Sequence, residues 1–129
     1  MLNDTLANAL SAVLNSEKIG KEFCIVGPVS RIVKEVLDIM NSAGYIGSYE
    51  TQKVHGGSQA KVFLIGMINK CGAVKPRNSI KLENLELAEK RFLPAKDFGI
   101  LILSTNEGIM TNETAKKKKV GGRLIAYCY

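Results

Sequence analysis

The chain has little of what enzymes and stapled domains are built from. Its single histidine, His55, and its three cysteines, Cys24, Cys71 and Cys128, offer neither a close pair nor a metal-ligand spacing. An odd number of scattered thiols argues against a disulfide framework and against zinc, and fits a reducing compartment. The three read instead as small core residues. There is no Walker or dinucleotide glycine pattern and no Gly-x-Ser-x-Gly elbow. No apolar run approaches the length of a membrane span, so no membrane partner is expected. Met1-Leu2-Asn3-Asp4 is not a basic segment followed by an apolar one, so no secretory signal is expected. Nothing calls for a metal or a cofactor.

What is present is a basic chain with enough apolar content to fold. Its 129 residues make one ordinary domain or two very small lobes. Hydrophobic residues are 46% of the total, which supplies a core and argues against disorder. The net charge of +6 and a pI near 9.3 favour a polyanionic partner, nucleic acid above all.

Residues 3–18 carry an apolar stripe at helical spacing, Leu6, Leu10, Val13 and Leu14, with Asn3 or Asp4 able to cap it. The opposite face holds short polar groups: Asp4, Thr5, Asn8, Ser11 and Asn15. Exposed helix faces more often carry Glu and Lys, which are better helix formers. The residues leave two readings open, a solvated face or one that hydrogen-bonds sugar and phosphate. Lys21 to Val26 predicts a strand, and Gly27-Pro28 a turn. Ser30 is placed to cap a helix reaching about Ala43, with Ile32, Val33, Val36, Leu37 and Met40 as its stripe. Tyr45–Val54 and Ala60–Ile68 predict a hairpin joined by His55-Gly56-Gly57-Ser58. His55 has no neighbours for catalysis and reads as a turn residue, solvated or grazing phosphate.

Composition breaks at Asn69–Asn78, NKCGAVKPRN, where apolar periodicity disappears. That divides the chain into an α/β lobe at 1–70, a linker at 71–78 and a β-rich lobe at 79–129. In the second lobe Ser79–Leu82 predicts a short strand and Leu85–Arg91 a helical turn. The expected class is α+β.

The most informative stretch is the last, FGILILSTNEGIMTNETAKKKKVGGRLIAYCY. Phe98–Leu103, interrupted only by Gly99, reads as a strand buried on both faces. Ser104-Thr105-Asn106-Glu107-Gly108 suits a tight loop. Thr111 or Asn112 is placed to cap a short helix that ends in Lys116-Lys117-Lys118-Lys119. Gly121-Gly122 is expected to stop it, and Leu124–Tyr129 to form a final strand. Hydroxyls and amides beside a lysine tract suit RNA. The lysines attract phosphate regardless of sequence, and short hydrogen-bonding side chains reach ribose and base edges in the shallow minor groove. Ser104 as a nucleophile lacks any base but His55 and any acid to orient it, so a hydrolase is the last-ranked alternative. A basic module that coats any polyanion explains the lysines but not the neutral loop beside them.

Ser104-Thr105-Asn106-Glu107-Gly108-Ile109-Met110-Thr111, then the basic tract and Val120-Gly121-Gly122, resembles the C-terminal signature of the family of the eighth small-subunit ribosomal protein. That pattern is Ser-Thr-x-x-Gly-[Val/Ile]-Met-Thr, a short helix, Gly-Gly and a last strand. Asn106 and Glu107 stand where bacterial members tend to carry Ser and Lys. The first-lobe spacing and the extended hairpin look closer to archaeal and eukaryotic members. The resemblance implies a two-lobed, non-enzymatic protein of the small ribosomal subunit. It would bind a helical region of small-subunit ribosomal RNA early, without cofactors, and help assemble the central domain, or platform. It implies an RNA-reading loop at Ser104, Thr105, Asn106, Glu107 and Gly108, assisted by Lys116, Lys117, Lys118, Gly121 and Gly122. The family's first helix also touches RNA, which carries over to Asp4, Thr5, Asn8 and Asn15. It further implies neighbouring ribosomal proteins, a cytoplasmic location and a free monomer. In some members the protein represses its own messenger RNA.

Overall fold

The computed structural model describes residues 5–55, 57–74, 79–95 and 98–129, and the chain divides into two compact units, Met1–Gly72 and Ala73–Tyr129. In the first unit α1 (Thr5–Lys18) buries Leu6, Ala9, Leu10 and Val13, and α2 (Arg31–Ser42) buries Val33, Val36, Leu37 and Met40. Both sets recur at three- and four-residue steps, which puts them on one face of a helix. Burying each Leu, Val or Met among them contributes about 1.5–3 kcal/mol. The helices pack on a three-stranded antiparallel sheet of order β1-β3-β2, made of β1 (Phe23–Val26), β2 (Ile46–Val54) and β3 (Gly57–Leu64). Alternation along β1 sends Cys24 and Val26 inward and leaves Phe23 and Ile25 exposed.

Two local expectations change here. The hairpin's second strand ends at Leu64, four residues early, and Gly66 at φ +77° turns the chain away from the ladder. Ser30 precedes α2 in extended conformation, but its side chain makes no capping bond; its hydroxyl oxygen sits 3.3 Å from that of Thr5 instead.

The second unit is built on an antiparallel sheet of order β4-β8-β6-β7, with β5 also paired to β8. Its strands are β4 (Cys71–Ala73), which straddles the boundary, β5 (Ser79–Ile80), β6 (Ile100–Thr105), β7 (Gly108–Thr111) and β8 (Gly122–Cys128). The expected linker stretch thus contains a strand, and just beyond it the Val74 N–H donates to the Ile125 carbonyl at 2.9 Å. Two helices, α3 (Leu85–Phe92) and α4 (Asn112–Lys118), complete the unit. One core cluster joins Leu85, Leu93, Leu101, Leu103, Met110 and Leu124, among others, with Phe92 and Tyr127 stacked beside it at 5.8 Å. Leu101, Ile102 and Leu103 are all buried, as the unbroken apolar run requires. Gly99 interrupts that run because a Cβ there would stand 2.7 Å from Tyr129 Cβ and 2.8 Å from the Cys128 carbonyl, at φ +89°.

The α+β class holds. All three cysteines are buried, and none forms a disulfide. The C-terminal stretch differs from expectation in two ways. Ser104 and Thr105 continue β6, and Gly108–Thr111 forms β7, so the five-residue loop shrinks to a hairpin turn at Asn106-Glu107. Four residues are too few for an alternating pattern to stand out in the sequence. The helix is ended not by Gly121-Gly122 but by Lys119, whose φ of +57° places it in the left-handed region.

Candidate nucleic-acid interface

The β6–β7 hairpin turns on one hydroxyl. Thr105 Oγ1 accepts the Glu107 N–H at 3.1 Å and donates to the Gly108 carbonyl at 2.8 Å. This side chain therefore holds the turn closed from inside. Gly108 follows at φ +116°, a backbone conformation that side chains disfavour. Asn106 and Glu107 stand exposed at the tip.

Behind the tip, register sets a polar row across three strands. Ser104 on β6 faces Arg123 on β8, and Arg123 faces Ser79 on β5. The neighbouring positions Leu103 and Leu124 are buried in the core, so the row lies on the opposite face from that core. Among the described residues, the Ser104 hydroxyl, the Asn106 amide and the Arg123 guanidinium have no hydrogen-bond or ion-pair partner. The strands come this close because of Gly121 and Gly122. A Cβ on Gly122 would meet the Ser104 carbonyl at 2.6 Å and Thr105 Cγ2 at 2.8 Å; one on Gly121 would meet the Ile80 carbonyl at 2.6 Å. The glycine pair thus serves close approach rather than helix termination.

The result is an open groove lined by Ser79, Lys81, Ser104, Thr105, Asn106, Gly121, Gly122 and Arg123, with Ile80 and Leu82. Its charged lining residues, among those described, are both cations. Glu107 does not line it, so the hairpin's carboxylate stands outside the groove. Sequence reasoning missed Ser79, Lys81 and Arg123. The sequence signal for Arg123 was only its charge, set between Gly122 and the apolar run that begins at Leu124.

The lysine tract is not four equivalent cations. Lys116 Nζ lies 2.6 Å from Glu89 Oε1, and that carboxylate oxygen also accepts from Asn112 Nδ2 at 2.8 Å. Asn112 in turn accepts the Leu101 N–H at 3.2 Å, so Lys116 helps to tie α4 to α3 and β6. Thr111 caps α4 by accepting the Thr114 N–H at 3.3 Å. Lys117 sits 3.8 Å from Glu113 with both side chains exposed, a weak pair. Lys118 and Lys119 are exposed and make no ion pair among the described residues.

The α1 candidates belong to the other compact unit. Asp4 lies outside the described residues. Thr5 is half-buried with its hydroxyl near Ser30, Asn8 is half-buried, and Asn15 is exposed. No group of three or more metal-ligating side chains occurs among the described residues, and no described helix is long and apolar enough to cross a membrane.

A basic groove of hydroxyls, an amide and a guanidinium on strand ends suits phosphate, ribose and base edges. The chain matches the family model described as Ribosomal protein S8 over residues 4–129. That span is nearly the whole chain and takes in both units, the hairpin and the glycine pair. Members are structural proteins, not enzymes; they bind small-subunit ribosomal RNA, beside neighbouring ribosomal proteins, in cytoplasmic ribosomes. This chain therefore belongs to the ribosomal protein S8 family of small-subunit, RNA-binding ribosomal proteins.

Proposed function

We propose that the protein holds a helical region of small-subunit ribosomal RNA in the groove of its second unit, and that this early binding helps assemble the central domain of the subunit. The observation that carries the reading is the row Ser79–Arg123–Ser104, in which a free hydroxyl and an unpaired guanidinium stand side by side on one face of the sheet, at the strand ends. Arg123 and Lys81 draw phosphate into the groove. Ser104 and Asn106 reach 2′-hydroxyls and base edges, which an RNA duplex presents in its shallow minor groove. Thr105 acts chiefly by fixing the hairpin on which they sit. Gly108, Gly121 and Gly122 let the RNA backbone and the strands approach closely. Lys118 and Lys119, with Lys117, add attraction that ignores sequence. Lys116 contributes less, because Glu89 already neutralises it. Asp4, Thr5, Asn8 and Asn15 form a second contact through α1. The protein binds as a monomer and uses no cofactor. Its own messenger is a second RNA partner wherever it offers the same helical shape.

The test is a protection map on purified small-subunit RNA, followed by filter binding of the protected fragment. Tight binding of one short helical segment, weakened by Ser104→Ala and Arg123→Gln, supports the reading. Binding that spreads over all RNA and ignores both changes contradicts it.

A further inference from the structure

The sheet of the first unit is covered on one face. Helices α1 and α2 pack on the side that buries Cys24, Val26, Ala60 and Val62. Alternation sends Phe23 and Ile25 of β1, and Lys61 and Phe63 of β3, to the other side. Register makes these four one patch: Phe23 stands across the ladder from Phe63, and Ile25 from Lys61. Phe23 is 42% exposed and Ile25 57%. Aromatic and aliphatic side chains left open together on a sheet mark a place for a partner.

Lys61 says which kind. Its Nζ lies 4.3 Å from the centre of the Phe23 ring and 5.3 Å from that of Phe63. An ammonium is drawn to the flat face of a ring, so both rings turn a face towards the same point. Glu50 stands across the β2–β3 ladder from Lys61, yet neither it nor any other described carboxylate forms an ion pair with this lysine. The patch is thus a cation without a counter-charge, set against two aromatic faces. A wholly apolar protein surface laid here would strip water from the ammonium without supplying a partner. An acidic protein side chain would answer the ammonium but offer the rings no flat surface. A nucleotide answers both, with its base on the rings and its phosphate at Lys61. Glu50 weakens attraction for a long phosphate track, so stacking carries the contact. Bases inside a duplex are already stacked on both faces, so the nucleotide is one that stands unpaired.

We infer that the open face of this sheet is a second RNA site, which stacks an unpaired nucleotide of ribosomal RNA on Phe23 and Phe63 and holds its phosphate at Lys61. The groove of the second unit takes a helical region, whereas this face takes single-stranded RNA, so the inference does not rest on the groove.

The chain contains no tryptophan, so Phe23→Trp in the full chain installs a single indole in the patch. An unpaired RNA oligonucleotide of mixed sequence is titrated into it. Stacking should quench the indole, and the quenching should saturate. Adding Phe63→Leu, which keeps apolar bulk but removes the second ring, should weaken binding about tenfold. Lys61→Met should lower the log–log salt slope by about 0.7 or less. Arg123→Gln should leave the quenching as it was, which separates this site from the groove. A second measurement places photoreactive benzoylphenylalanine at the exposed Ile25, assembles the chain into small subunits and irradiates them; the expected crosslink is to RNA. An indole that the oligonucleotide does not quench, an affinity indifferent to Phe63→Leu, quenching lost in Arg123→Gln, or a crosslink from Ile25 to a ribosomal protein would each overturn the inference. Failure of the groove would appear instead as unaltered binding of the helical fragment in the Ser104 and Arg123 variants, with the quenching intact.

Discussion

Arg123 stands directly across the β8–β6 ladder from Ser104, and neither side chain has a partner among the described residues. A cation and a hydroxyl fixed side by side on a sheet can bind phosphate and ribose with little ordering cost. Arg123→Gln should reduce affinity for the target RNA and lower the log–log salt slope by somewhat under about 1. Ser104→Ala should cost about 1–3 kcal/mol of binding while leaving the slope unchanged. Filter binding across a salt series separates the two; equal slopes for wild type and Arg123→Gln would mean that the guanidinium meets no phosphate.

Thr105 divides differently. Its hydroxyl is committed to Glu107 and Gly108, so Thr105→Val should destabilise the fold by about 1–2 kcal/mol and weaken RNA binding indirectly. Thr105→Ser keeps the hydroxyl and should keep most of both. Urea unfolding beside filter binding checks this. A Thr105→Val protein of full stability that has lost RNA affinity would make Thr105 a direct contact instead.

The lysine tract should split in the same assays. Lys116→Met removes the ammonium that neutralises Glu89 and should lower stability by about 1–3 kcal/mol, with little change in salt slope. Lys118→Met should leave stability alone and reduce the slope. The reverse pattern would mean that Lys116 leaves Glu89 for RNA.

Stability should fall at alkaline pH. Burial, then Glu17 and Cys24, pushes the Cys71 thiol up to about 12 from its ordinary 9. Partial burial, then the 2.7 Å hydrogen bond to Asp38, pushes Tyr49 up to about 12 from its ordinary 10. Both groups keep their protons longer in the folded chain than in the unfolded one. Their contribution is therefore complete below the unfolded values and is lost as pH rises through 9 to 12. Urea midpoints measured across that range should decline, and less steeply in Cys71→Ala. A flat profile would show that neither group is shielded.

The long, strongly patterned elements were legible in the sequence. The stripes of α1 and α2 and the unbroken run of β6 announce themselves by period, because each buries one side or both. Strand β7 was not legible, since Ile109 and Met110 alone cannot show alternation. Gly121-Gly122 sat where a helix stop belongs, yet the carbonyls that exclude a Cβ there, those of Ser104 and Ile80, come from strands far off in the chain. The pairing of Lys116 with Glu89, twenty-seven positions earlier in the chain, is set by packing of α3 on α4 and leaves no local trace. Arg123 was overlooked for a related reason: its importance comes from the strand opposite it.

The most direct measurement is amide chemical-shift mapping of the labelled protein, titrated with the RNA fragment that it protects. The amides of Ser79, Ser104, Asn106, Gly121, Gly122 and Arg123 should move together and saturate at one equivalent. If those signals stay still while the RNA is bound, and the shifts gather on Phe23, Lys61 and Phe63, the groove is not the RNA surface.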